Sequence, residues 1–198
     1  MKKTVLAALS AAFLSGTAMA APVPVDVQAG TYKAEPGHTQ VVFSVLHMGF
    51  TNYTGLFSQA SGSLVFSPSA PASAKLSVTI PVSSVQTTSD RLTGELKDKD
   101  WLDAAKYPEA KFVSTHVVPG AAGDAVIEGN LTLHGVTKPA TLKAHFIGAG
   151  TNPMNKAYTI GFEGSMTIRR SEFGVKTYVP LIGDEVELKI AGAFEKQA

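Results

Sequence analysis

The sequence predicts an all-β fold with one helical insertion, on three observations. Short runs rich in Val, Ile, Thr and Phe recur along the chain, most of them alternating or briefly apolar. Turn-like breaks separate them, at Ser67-Pro68-Ser69, Pro119-Gly120, Gly148-Ala149-Gly150, Asn152-Pro153 and Gly183-Asp184. A single stretch, residues 87–108, is instead built from helix formers with few β-branched residues. About eight sequential strands joined by short turns fit an antiparallel sheet closed on itself; a two-sheet sandwich is the alternative. Closure removes the exposed edges that invite aggregation. An eight-stranded barrel is either filled by side chains or holds one small ligand, and periodicity alone leaves both open.

The elements follow in order. Residues 1–20, MKKTVLAALSAAFLSGTAMA, set two lysines before an apolar run over 5–14 and end in Ala18-Met19-Ala20. This is the pattern of a secretory signal peptide cut after Ala20, and the expected location is the periplasm. The apolar run is too short for a membrane span, so an integral membrane protein is not expected. Residues 21–30 read as an extended leader and 31–198 as one domain. Strands are expected over 41–48, 63–66, 75–80, 111–118, 125–133, 140–147, 158–168 and 185–193. The helical insertion is expected around 88–106: Thr88 or Ser89 can cap it, and Leu92, Leu96, Trp101, Leu102 and Ala105 form one stripe before Pro108 closes it. Lys75, Lys111, Lys143 and Lys189 sit within strands, which argues against an outer-membrane barrel with an apolar outer face.

Composition excludes several functions. Of 17 Lys and Arg, Lys2 and Lys3 fall in the signal peptide, leaving 15 against 16 Asp and Glu. The mature chain is close to neutral, and no basic excess marks a nucleic-acid partner. With no cysteine there is no disulfide and no thiolate chemistry, so stability rests on core packing. The five histidines, His38, His47, His116, His134 and His145, show no HxH or HExxH spacing. Neither a Gly-x-Ser-x-Gly elbow nor a P-loop is present. No catalytic residue, metal ligand or required cofactor is assigned.

Within HTQVVFSVLHMGF (38–50), a period of two puts Val41, Phe43, Val45 and His47 on one face. A histidine ending such a row is either a core residue with a hydrogen-bonded ring or a polar group lining a cavity. The inward rows of other strands offer Leu64, Phe66, Leu76, Val78, Ile80, Phe112, Leu131, Leu133, Ile160, Phe162 and Met166. They would wall a filled core and a hollow one equally well. Trp101, the only tryptophan, either anchors the insertion to the rim or acts as a lid. Arg169 and Arg170 either offer a positive rim to a phosphate or belong to a solvated loop.

Several segments together carry a resemblance. They are Glu35-Pro-Gly-His38 before VVFSVLHMGF, Gly55-Leu-Phe57 followed by Gly62, Ser84-Val-Gln-Thr87, Asp103-Ala-Ala-Lys-Tyr-Pro108 followed by Phe112-Val-Ser114, Gly129-Asn-Leu-Thr-Leu-His-Gly-Val-Thr-Lys-Pro139, and Arg170-Ser-Glu-Phe-Gly174. In this order and spacing the chain resembles the YceI family of exported bacterial proteins, from about Thr31 to Phe194. The resemblance implies a lipocalin-like eight-stranded antiparallel barrel with a helical segment. It also implies a long isoprenoid lipid, such as a polyprenyl phosphate or a quinone, bound in an elongated pore, and a possible homodimer. Many relatives carry Arg-Asp-x-His-Leu in the helix. Here Leu92-Thr-Gly-Glu-Leu96 stands in its place, with Arg91 one position early as a further head-group or rim candidate, and this departure points to a different or less charged head group. The rival readings are a small exported lipid hydrolase or isomerase and a stress-related module with a filled core.

Overall fold

A computed structural model describes residues 27–198. The expected signal peptide, 1–20, and the leader over 21–26 lie outside the described residues. Among them, ten strands and one α-helix run in the order β1 Gly30–Ala34, β2 Gln40–His47, β3 Thr51–Phe57, β4 Ser61–Phe66, β5 Lys75–Pro81, α1 Asp90–Lys97, β6 Glu109–Pro119, β7 Asp124–Leu133, β8 Val136–Thr151, β9 Tyr158–Arg169 and β10 Ile182–Lys196. All pair antiparallel in one sheet that closes through β1 and β10.

The ten strands make eight staves. β1 and β2 lie end to end along β10, one pairing with its residues 194–196 and the other with residues 182–191. β4 and β3 line up beside them in the same way. The break between β1 and β2 falls at Pro36-Gly37, where Pro cannot donate to a ladder. The Glu35 carboxylate gathers the loop by accepting from the Gly37 and His38 amides, both at 2.8 Å. Thr39 then repairs the ladder: its hydroxyl donates to the Ala193 carbonyl and accepts from the Ala193 amide, each at 3.1 Å. The eight expected strands correspond one to one with the staves, and the unexpected pieces are β1 and β3. β3, TNYTGLF, lacks the β-branched apolar run that marks its neighbours.

Two other boundaries differ from expectation. β8 begins at Val136 and runs through Pro139. It pairs with β9 only from Lys143 onward, so at Pro139 that edge has no partner to lose. α1 spans eight residues, with Ser89 Oγ accepting from the Leu92 amide as its cap, and stops at Lys97 rather than near 106. Asp98, Asp100 and Asp103 follow, and carboxylates at a helix C-terminus oppose its dipole. Turns bring Trp101 and Leu102 back over the barrel, with the Leu102 amide donating to Leu96 O at 3.1 Å.

The 82–108 insertion, the β7–β8 turn and residues 170–181 gather at one end of the barrel, the helix end. Three of the most recognisable sequence segments meet there. Tyr107 packs on His134 with ring centroids 4.4 Å apart, and His134 Nδ1 donates to the Phe173 carbonyl at 3.1 Å. Gly135 has φ +75°, and a Cβ there would sit 2.4 Å from the Tyr107 ring, so both conformation and space require glycine. Toward the far end, Val27, Tyr32, Phe66, Phe146, Ile160 and Phe194 form a packed cluster, and loops 67–74 and 119–124 border the barrel interior beside it.

Candidate functional site

A cavity of about 490 Å³ runs inside the barrel between these two ends. That volume lies within the roughly 300–1,000 Å³ of small-molecule sites. Its wall follows from the pleat: residues paired across neighbouring strands share a face, so one inward row carries the next. Phe43, Leu188 and Met166 are consecutive cross-strand partners on β2, β10 and β9. Val78, Phe112 and Leu131 continue the wall on β5, β6 and β7. Gly129 leaves room for a ring: a Cβ there would come within 2.5 Å of Phe112 Cζ.

Of the fifteen wall residues expected from the sequence, Val41, Phe43, Val45, Leu64, Phe66, Leu76, Val78, Ile80, Phe112, Leu131, Leu133, Phe162 and Met166 border the cavity. Ile160 and His47 do not. Ile160 faces inward but is fully enclosed by the far-end cluster, so no void reaches it. His47 lies beyond an irregularity in the β2–β10 pairing between Val186 and Ile182; its partner Ile182 borders the cavity and His47 does not, its ring packing near Tyr53, 6.4 Å away. Two further rows border the cavity beyond the expected ones: Leu142, Ala144 and Phe146 on β8, and Val186, Leu188, Ile190, Gly192 and Phe194 on β10. Their alternation, in LKAHF and VELKIAGAF, was the available signal.

The four rim candidates separate. Arg91 points to solvent and pairs with Glu95 at 2.8 Å, and Arg169 lies outside the barrel, 3.6 Å from Glu185. The inward positions of α1 go to its apolar stripe, and an outward residue at the end of β9 follows from alternation. Trp101 does border the cavity. Arg170 also borders it and is only 6% exposed, so it is not part of a solvated loop. Its Nε donates to Gly183 O at 2.9 Å, Nη1 to Val175 O at 3.1 Å and Nη2 to Ile182 O at 2.8 Å. The Trp101 ring lies over the guanidinium at 5.6 Å and also meets Tyr178 at 6.2 Å.

Among the described residues, Arg170 is the only cation in the cavity lining; the carboxylates Asp124 and Glu163 are exposed residues. Nearby, Asp184 accepts from the Ser171 amide and hydroxyl, both at 2.8 Å. Burial would raise its carboxyl, but these hydrogen bonds and the charges of Arg170 and Arg169 hold it below the ordinary aspartate range. Its folded pKa therefore lies below the unfolded value of about 3.9. The stabilisation it supplies is complete above about pH 4 and is lost as pH falls through the folded value. In urea unfolding at stepped pH, Asp184→Asn should be less stable than wild type at pH 7 and converge with it in acid. Parallel curves would count against this linkage.

Comparisons with known proteins agree with this geometry. The YceI-like domain model matches residues 32–194. A UPF0312 protein of Pseudomonas aeruginosa is 40% identical over 195 residues, covering 96% of this chain and 97% of its own. The crystal structure of Burkholderia cenocepacia BcnA is similar with a TM-score of 0.73 at 26% identity, over 81% of this chain and 98% of that one. A polyisoprenoid binding domain from Saccharophagus degradans has a TM-score of 0.61 at 15% identity, over 86% of this chain and 100% of that one, a likeness of fold.

Proposed function

This chain belongs to the YceI-like family, and from that premise we propose that it is a periplasmic carrier that shelters a long-chain isoprenoid lipid in its barrel. The observation that carries this reading is the cavity: a continuous hollow walled by aliphatic and aromatic side chains from every stave. Such a wall offers little to a reaction and much to a hydrocarbon. Burying a methylene-sized unit contributes roughly 0.8 kcal/mol, so a five-carbon isoprene unit gains about 4 kcal/mol gross. A few units offset the cost of ordering the chain. Sequestration of the tail is the whole mechanism, and no catalytic side chain is needed.

The head group follows from charge. A phosphate drawn into this cavity would meet one cation, Arg170, whose Nε, Nη1 and Nη2 each already serve a backbone carbonyl. An anion buried without further partners is costly. The ligand is therefore uncharged within the barrel: a quinone-like or alcohol head, with any charged group left outside.

Native mass spectrometry of protein purified without detergent tests this. The expected result is a bound hydrophobic molecule of definite mass that organic extraction removes. Emptied protein should take up a polyprenyl alcohol or a prenylated quinone at least about tenfold more tightly than the polyprenyl phosphate of equal tail, a gap of roughly 1.4 kcal/mol. Protein that comes clean and ignores all three compounds would overturn the carrier reading.

A further inference from the structure

We propose that residues 88–106 form a hinged gate over the helix end of the cavity, latched by Trp101 between Arg170 and Tyr178. The proposal rests on the binding reading above.

The insertion leaves and returns through a closed neck: Pro81 pairs with Glu109, and the Val82 amide donates to Pro108 O at 2.8 Å. Its entry is fixed where Gln86 exchanges two backbone hydrogen bonds with Leu56, at 2.8 and 2.9 Å. Its exit is fixed where Tyr107 packs on His134. Between these points the backbone bonds to itself, as in Thr93 to Ser89 at 2.8 Å and Ala104 to Lys97 at 3.0 Å. α1 has no buried residue and carries Gly94 in its middle. A helix this short with an interior glycine has little stability of its own. Segments of this kind open at low local cost.

Across the cavity end this unit presents Leu96, Trp101 and Leu102. It is held to the barrel by Trp101 against Arg170 and Tyr178, by the Thr177 hydroxyl donating to the Asp100 carbonyl, and by Tyr53 Oη to Thr88 Oγ1 at 3.3 Å. Arg170 is a fixed post, because three carbonyls hold its guanidinium. Swinging the unit away uncovers the cavity while every barrel strand stays paired.

The chain has no cysteine, so a disulfide placed as Asp100→Cys with Thr177→Cys locks the gate without competing thiols. Stopped-flow quenching of Trp101 by a short-chain ubiquinone reads entry at the latch itself. The oxidised variant should load and release at least about tenfold more slowly than the same protein reduced, with its equilibrium affinity unchanged. Tyr178→Ala should exchange about two- to tenfold faster than wild type, the range expected for losing one aromatic pair. Equal rates in the two redox states, with binding intact, would overturn the gate alone and place entry at the far end, between loops 67–74 and 119–124. Wild-type protein that binds no quinone would overturn the carrier reading and the gate with it. If mass spectrometry shows that the thiols do not couple, the Tyr178→Ala rate decides, and an unchanged rate overturns the gate.

Discussion

Arg170→Ala should lower the unfolding free energy by about 3–5 kcal/mol, the sum expected when three backbone carbonyls lose one charged donor. The side chain donates to the carbonyls of Val175, Ile182 and Gly183, and both Val175 and Ile182 are buried. A buried carbonyl left without a donor costs about 1–3 kcal/mol. The truncation also removes the cation beneath Trp101. For a domain of this size the fall in Tm is roughly 6–20 °C. Arg170→Lys should recover less than half of it, because an ammonium keeps the charge but cannot span three carbonyls as the planar fork does. Thermal and urea unfolding measure both variants. A loss below about 1 kcal/mol in the alanine variant would mean that the carbonyls find other donors and that this residue does not hold the helix end together.

Met166→Glu should abolish ligand retention, with affinity for a prenylated quinone falling at least about 100-fold, close to 2.8 kcal/mol. Met166 stands in the wall between Leu188 and the β8 row, with Phe43 one strand further round. A carboxylate there either stays ionised and draws water into the hollow, or takes up a proton and still demands a hydrogen bond the wall does not offer. Both outcomes replace apolar contacts on which the tail depends. The side chain borders the cavity beside the packed cluster of Phe112, Leu131 and Leu142, so the loss is read on a variant that elutes and unfolds as a single species. Isothermal titration alongside native mass spectrometry checks the loss. Wild-type affinity in a folded Met166→Glu protein would mean that the ligand does not occupy this part of the barrel.

The sequence determined the architecture almost completely. Alternation in VVFSV, KFV and YTIGF reports which side of a pleat each residue takes, and a closed sheet has only one inside. The apolar rows therefore could be assigned to the interior before any strand was paired with another. The places where that reading slipped are those where alternation is interrupted or masked. TNYTGLF is too polar to declare itself a strand, the Pro36-Gly37 break hid that β1 and β2 share a stave, and the helical stripe was extended past Lys97 because Trp101 and Leu102 keep facing inward through a turn.

Only the tertiary structure decided three things. It decided that the rows do not meet across the middle, because side chains fill a barrel or leave it hollow according to staves far apart in sequence. It decided that Arg170 faces a ring of carbonyls, and Arg169 the solvent, since one residue of register at the end of β9 turns a side chain from one face to the other. And it decided that His47 misses the cavity while Trp101 covers it. Periodicity is a local property of the chain, written in neighbouring residues; volume, enclosure and the partners of a buried charge are set by segments that meet only when the sheet closes.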